Sequence, residues 1–465
     1  MNDPIPVRDR GDVPLYLEAR NYIDVEVVRL EPRLSDPDGK VATVRSFNQD
    51  LGNPQASFRS VQVAGTSGKG STSTWLARIL RACGVSTGLH VSPYLQVATE
   101  KTWMNGRYAA PRSWHEAYLR VRPVAEEYRT RSDCRASVHG MASLGVTYEC
   151  FRHEGLDWAV METGVGGRYD LIQGLDRRLA VITDIGLDHL KTLGEDRETI
   201  AWHKAGIMEG ARRALATWDP EIWPVFEEQA ARSGCRLEAA RPEEVATLHP
   251  SSEGTVVRLR LPRAGTVEIA WPFGGGGFRL RNFTVAALAA DMLADEGVSL
   301  TPEALLAALA AGPIPGRLET VQTGPTVILD AAHNPQKMQA LMESLFTGGR
   351  RSYSRLLLVM AATGDRAVEE FAAVFPERPD VLMLTRPLLY GKKVSAPSEL
   401  AQPLRGWARS MLQADSPRLA MEGILARARP DDLVLVTGSI YLVGQARDRW
   451  YPWEQVLLEG TSFPK

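Results

Sequence analysis

The chain has 465 residues, 44% of them hydrophobic and 24% charged, which excludes a mainly disordered polymer and supplies material for more than one core. Lys plus Arg number 54 against 56 Asp plus Glu, so the formal charge of -2 gives no global basic field to recruit nucleic acid or an anionic membrane. The four cysteines, Cys83, Cys134, Cys150 and Cys235, form no CxxC pair, and neither a secretory signal nor a run of about 18 apolar residues is found, so a cytoplasmic protein is expected.

Residues 1 to about 14, polar and broken by prolines, read as a flexible arm. Tyr16 to Leu51 is predicted mainly helical, ending at the turn-prone Gly52-Asn53-Pro54. Ser60 to Ala64 reads as a short buried strand. A Gly-rich turn follows, then a helix from Thr72 to Cys83 stopped by Gly84. Val85 to Val91, Trp158 to Met161 and Leu179 to Thr183 are further strands. Strands separated by helical stretches predict a mostly parallel sheet with helices on both faces. Gly274 to Gly277 reads as a loop, and Ala-rich 284–311 as the last helical part of the first domain.

Two prolines and two glycines within Gly312-Pro313-Ile314-Pro315-Gly316 mark a linker or hinge. Beyond it, Thr326 to Leu329, Arg355 to Val359, Val381 to Leu384 and Leu433 to Val436 are predicted strands, with a helix starting near Tyr441. The expected architecture is therefore an α/β protein. A P-loop ATP-binding domain with a mostly parallel sheet, residues 1–312, precedes a smaller Rossmann-like α/β domain, residues 313–465.

Gly65-Thr66-Ser67-Gly68-Lys69-Gly70-Ser71-Thr72 sits between a strand and a helix, where backbone N–H groups and a helix N-terminus bind phosphate. Lys69 is placed to reach the β- and γ-phosphates, and the Ser71 hydroxyl to hold Mg²⁺. The strict G-x-x-x-x-G-K-[ST] rule fails at both ends. Val63 stands for the first glycine and Gly70 for the hydroxyl residue.

This departure carries information, because GTxGKGS after an apolar strand resembles the Mur ligase superfamily. Further short matches run in order from about residue 50 to 447 and resemble its folylpolyglutamate synthase and dihydrofolate synthase family. They are Leu51-Gly52-Asn53-Pro54-Gln55, Ser92-Pro93-Tyr94-Leu95, Thr99-Glu100-Lys101 and Asn105-Gly106. Met161 to Asp170, Ile185 to His189 and Lys204-Ala205-Gly206-Ile207 follow. Gly316-Arg317-Leu318-Glu319, Asp330 to Pro335 and Gly438 to Gly444 complete the set. Tyr94 replaces a histidine of that pattern, and Leu171-Ile172-Gln173 replaces its ATN; the segment 361–365 matches only loosely.

The resemblance implies an ATP-dependent acid–amino-acid ligase, with Mg²⁺ as cofactor and ATP as co-substrate. A carboxylate takes the γ-phosphoryl group, and an amine then displaces phosphate to leave an amide and ADP. It implies metal ligands Ser71, Ser92, Glu162 and His189, and a carbamate on Lys204. It also implies ATP contacts from Asn282, Arg317 and Asp330, with His333 beside the phosphates or the incoming amine. Ser439 and Tyr441 are implied at the amino-acid site. The expected substrates are L-glutamate and a pteroate or folate, with no nucleic-acid or membrane partner. ATP is expected in a cleft between the domains, hinged at 312–316.

Read without the resemblance, the same residues allow plainer roles. Glu162 serves as a loop or helix-capping carboxylate, His189 as a polar loop residue and Lys204 as a surface lysine on a helix. Asp330 and His333 cap the helix that begins near Pro335. Three other functions compete: a ligase with a changed acid or amino acid, a nucleotide-binding protein without ligase activity, and a small-molecule kinase. A GTPase is disfavoured by the lack of an NKxD-like guanine reader.

Overall fold

Apolar runs too short for helices, such as Val61 to Ala64 and Trp158 to Met161, become the centre of an eight-stranded sheet. The structure, a computed structural model, describes residues 10–27, 36–252, 254–273, 277–346, 353–363, 368–389 and 393–465. The strands of this sheet are β1 (Arg59–Ala64), β2 (Thr87–His90), β3 (Trp103–Met104), β4 (Arg107–Tyr108), β5 (Trp158–Glu162), β6 (Asp176–Ile182), β7 (Arg213–Thr217) and β8 (Arg236–Ala240). Their order is β4-β3-β2-β5-β1-β6-β7-β8. All pairings are parallel except the β2–β3–β4 edge. Helices cover both faces, so all five residues of β5 are buried and the strand needs no polar alternation. One side of the sheet packs Ile182, Ile200 and Phe226; another cluster joins Phe58, Phe151 and Met161. Each such side chain stabilises by about 1.5–3 kcal/mol on burial.

The chain divides into two compact units. The first comprises residues 1–274, 279–311 and 454–465; the second comprises 275–278 and 312–453. The break at 311/312 coincides with the Gly/Pro-rich linker. The last twelve residues, which the sequence reading gives to the second domain, cluster with the first unit. Backbone bonds explain this, because Tyr108 N–H donates to Gly460 C=O at 2.8 Å.

The first unit also carries a three-stranded antiparallel sheet that the sequence reading does not contain, β9 (Ala246–Ser251), β10 (Gly254–Leu261) and β11 (Gly265–Ala270). The second unit is a six-stranded sheet of β12 (Glu319–Gln322), β13 (Thr326–Leu329), β14 (Leu356–Met360), β15 (Val381–Leu384), β16 (Ser410–Gln413) and β17 (Leu433–Thr437). Its order is β12-β13-β17-β14-β15-β16, parallel except for β12.

Two local expectations change. Residues 10–14 are not an arm, since a 3₁₀ turn (Arg10–Asp12) leads into the helix Val13–Asn21; residues 1–9 lie outside the described set. Of Gly274 to Gly277, the first three also lie outside it, and Gly277 begins the helix Gly277–Asp291. No helix of the described residues is long and apolar enough to cross a membrane.

Candidate active site

The carboxyl ends of β1, β5, β6 and β2 deliver Gly65, Glu162, Thr183 and the loop after His90 to one edge of the first sheet, the edge where α/β proteins bind ligands. The loop after β1 turns at Gly65 (φ 147°) and Gly68 (φ 84°). A Cβ at Gly65 would stand 1.9 Å from Thr183 Oγ1, and one at Gly68 would stand 2.4 Å from Asn282 Oδ1. Both positions therefore require glycine.

The P-loop helix is Lys69–Ala82, three residues longer at its start than predicted from Thr72. Gly68 in the left-handed region ends the turn, and no side chain caps the helix. The first-turn N–H groups thus remain available to an anion, reinforced by the helix dipole. Thr66 and Ser67 sit differently from the rest of the loop. Their N–H groups donate to Asp184 C=O at 2.8 and 3.3 Å, so these two residues fasten the loop.

The substitution of glycine at position 70 has a physical cause. The Glu162 carboxylate lies 3.1 and 3.4 Å from where a Cβ at Gly70 would stand, and Glu162 Oε2 also accepts Ser92 N–H at 3.1 Å. A hydroxyl side chain at 70 would crowd the carboxylate, so the hydroxyl moves one position to Ser71, which is buried. Ser71, Glu162 and Ser92 are thus carried by neighbouring segments with hard oxygen donors. Among the described residues no group of three or more His, Cys, Asp or Glu forms a ready cage for a metal. An oxygen set with one carboxylate suits Mg²⁺, which keeps waters and uses substrate phosphates as ligands. His189 caps the short helix Leu190–Leu193 with φ 53° and is exposed.

Lys204 is buried, at 3% exposure, which rules out the surface-lysine reading. Its Nζ donates to Gly65 C=O at 2.8 Å, and Lys69 Nζ donates to the same oxygen at 2.9 Å. Two lysine side chains thus meet on one carbonyl oxygen, where like charges would repel. Asp170 shapes the neighbouring glycine-rich loop by accepting N–H bonds from Gly164, Val165 and Ile172. Burial raises its pKa despite those bonds.

The sequence reading overlooks the residues that brace this loop. Arg281 grips Asp184 through Nε at 2.9 Å and Nη2 at 2.7 Å, and pairs also with Glu243. Asp184 C=O in turn holds Thr66 and Ser67, so Arg281 acts on the loop from two residues away. Arg281→Ala is expected to weaken ADP binding about tenfold, roughly 1.4 kcal/mol, with Arg281→Lys between it and wild type. Calorimetric titration with ADP checks this, and equal affinities would remove the bracing role.

In the second unit, Arg317 Nη1 donates to Gly316 C=O at 2.9 Å. Asp330 ends β13 and accepts Leu318 N–H at 2.7 Å and Ala332 N–H at 2.8 Å. It thereby fixes Leu318 at φ 50° beside Arg317. The helix Pro335–Phe346 is capped by Asn334, whose Oδ1 accepts Lys337 N–H at 2.9 Å. His333 Nδ1 faces Ala331 C=O at 2.8 Å and so carries the proton. Its Nε2 lone pair then faces Lys337 Nζ at 3.1 Å. Ser439 caps the helix Ile440–Arg447, accepting Tyr441 N–H at 3.3 Å. Glu319, the last residue of GRLE, is buried against Arg447 at 2.9 Å.

Residues 63–290 match the Mur ligase middle domain, and residues 316–440 match the Mur ligase glutamate ligase domain. The dihydrofolate synthase/folylpolyglutamate synthase of Escherichia coli K12 is 30% identical over 395 residues, 83% of this chain and 85% of that protein. The chain belongs to the dihydrofolate synthase/folylpolyglutamate synthase family. It is an ATP-dependent ligase by that membership. The solved folylpolyglutamate synthase of Mycobacterium tuberculosis complexed with ADP shares the fold, with a TM-score of 0.82 and 25% identity, over 94% of this chain and 99% of that one. A probable bifunctional folylpolyglutamate synthase/dihydropteroate synthase of Haloferax volcanii is 28% identical over 94% of this chain. This chain spans 50% of that longer protein.

Proposed function

We propose that this protein joins L-glutamate to dihydropteroate or a reduced folate through an acyl phosphate, with ATP as co-substrate. One observation supports this reading above the others. The phosphate-binding helix start, the Glu162 carboxylate and two lysines on Gly65 C=O converge at the carboxyl edge of β1. Phosphoryl transfer to a carboxylate brings anions together, so placed cations and N–H groups do most of the work.

The first-turn N–H groups and Lys69 hold the β- and γ-phosphates. Ser71, Ser92, Glu162 and His189 are the proposed metal ligands, and bound Mg²⁺ neutralises phosphate charge. Asn282 is proposed to face the nucleotide base and Asp330 the ribose. Arg317 offsets charge that develops on the transferring group. His333, whose Nε2 faces Lys337 Nζ at 3.1 Å, is proposed to lie beside the phosphates or the incoming amine. Ser439 and Tyr441 are assigned to the glutamate. The phosphate, metal and base contacts are assigned to residues 1–312, and the following domain is proposed to supply Arg317, Asp330 and His333 together with the amino-acid site. A cytoplasmic setting fits four free thiols, Cys83, Cys134, Cys150 and Cys235.

Lys204 is proposed to carry a carbamate, formed when its amine adds to CO₂ and loses a proton. The change from positive to negative removes the repulsion with Lys69. With ¹³C-labelled bicarbonate, wild type is expected to show one carbamate carbon signal that Lys204→Ala lacks. Acetate is expected to restore part of the variant's activity. No labelled signal with full activity would remove the carbamate.

A second acid substrate is favoured by one observation. Tyr94, which stands for the family's histidine, donates to Asp24 Oδ2 at 2.6 Å and lies under Lys101 Nζ at 5.6 Å. Nearby His90 is pushed down to about 3 by burial first and by the Lys101 charge second, so it stays neutral. That region is rebuilt relative to the family pattern. A matrix of acids against amino acids, read by product mass and ADP release, tests both readings. The expected result is ADP release that needs L-glutamate together with dihydropteroate or a reduced folate. Amide formation with another acid and none with any pteroate or folate would select the second reading.

A further inference from the structure

The P-loop helix has a second polar end. Arg78 and Arg81, one helical turn apart, stand about 13–18 Å along its axis from Lys69. They line a cavity of about 350 Å³ in the first unit. The facing walls are Trp103 and Tyr108 from the β3–β4 hairpin, and Thr461 and Ser462 from the returning C-terminal segment. Ala307, Ala308 and Ala311 form the remaining side, and their small side chains leave the space open.

Three features give the cavity its chemistry. Arg78 and Arg81 both line it, and no Asp or Glu is among its described lining residues. The Arg81 guanidinium lies against the hairpin turn, where a Cβ on Gly106 (φ 103°) would stand 2.8 Å from Cζ; glycine there makes room for the cation. The walls are ordered from two sides, because Tyr108 N–H holds Gly460 C=O at 2.8 Å and the Tyr108 and Ser462 hydroxyls are hydrogen-bonded. Burial also pushes Arg78 down to about 10, and its guanidinium stands 5.1 Å from the centre of the Trp75 ring.

We propose that this cavity is a second small-molecule site, for a flat ring bearing one phosphate or carboxylate, with the anion on Arg78 and Arg81 and the ring against Trp103 and Tyr108. Paired guanidiniums match the oxygens of either anion, and aromatic walls favour a planar group over an aliphatic one. A carboxylate held here is not the reacting one. That group must meet the γ-phosphate at the opposite end of the helix. The site is therefore separate from the ligase chemistry.

The test uses the full chain saturated with ADP and Mg²⁺, so that the P-loop is filled, titrated calorimetrically with phenyl phosphate and with benzoate. One equivalent of at least one probe is expected to bind, and the tighter probe names the anion. Inorganic phosphate is expected to bind at least about tenfold more weakly than phenyl phosphate. Arg81→Gln and the cavity-filling Ala307→Phe alter exposed positions, and each is expected to weaken probe binding at least about tenfold while leaving ADP affinity unchanged. The same titration on Lys69→Ala without nucleotide is expected to retain binding, which separates this site from the P-loop reading. Absence of binding by both probes up to about 10 mM, or binding that neither cavity variant changes, would overturn the proposal. Equal affinity for inorganic phosphate would overturn the ring's part in it.

Discussion

Lys69→Ala is expected to lose at least about a thousandfold in turnover, roughly 4 kcal/mol of barrier, while the protein stays folded. The γ-phosphoryl group would lose the P-loop ammonium nearest to it, a charge that the helix N–H groups supplement and do not replace. The loop itself should survive, because Gly65 C=O keeps its bond from Lys204 at 2.8 Å and Thr183 Oγ1 still donates to Ser67 C=O at 2.7 Å. Steady-state ADP release with saturating substrates reads the effect, and circular dichroism confirms the fold. Near-wild-type turnover in a folded variant would show that the phosphate site has been misplaced.

A loss of about 3–5 kcal/mol is expected when either Glu319 or Arg447 is truncated to alanine. Their side chains are 1% and 0% exposed, so neither charge has access to water. Arg447 Nε lies 3.0 Å from both Glu319 oxygens and Nη2 lies 2.9 Å from one. Gly316 N–H adds a further bond to Glu319 at 2.8 Å. Removing one partner strands the other's charge in the interior, whereas replacing both with Leu and Met removes both charges and leaves only the Gly316 N–H without its acceptor. The double variant is therefore expected to be more stable than either single one. Urea unfolding followed on a probe within residues 312–453 measures this. Single losses under about 1 kcal/mol would contradict the buried-charge account. Because Glu319 also tethers Gly316, the single variants should disturb Arg317 as well as stability.

The parts of the fold visible in the sequence are those with local causes. Val381–Leu384 and Thr326–Leu329 are found residue for residue, since buried parallel strands are continuous apolar runs bounded by polar turns. The three strands between Ala246 and Ala270 escape notice because their outer faces are exposed and polar, which dilutes the apolar signal. The helix start at Lys69 is invisible to propensity, since Lys-Gly-Ser is a weak opening and the deciding feature is the φ of Gly68. At the site, the phosphate loop and Glu162 are legible as short motifs. Arg281 on Asp184 and Arg447 on Glu319 join residues 97 and 128 positions apart, and no local pattern encodes such pairs.

The return of residues 454–465 to the first unit sets an order on biosynthesis. As the chain leaves the ribosome, the first unit is made almost whole, yet the strip that seats Gly460 against Tyr108 is still missing. The whole of 312–453 must be translated first, which takes roughly seven to thirty seconds at ~5–20 residues per second. During that interval the second unit can finish folding, and the first waits with the Arg78 and Trp103 surface uncovered. A premature stop just after Trp453 would leave the P-loop, Glu162 and Lys204 encoded but would withhold the last closing segment. Such a product should be captured by chaperones or proteases although every residue proposed for the chemistry is present.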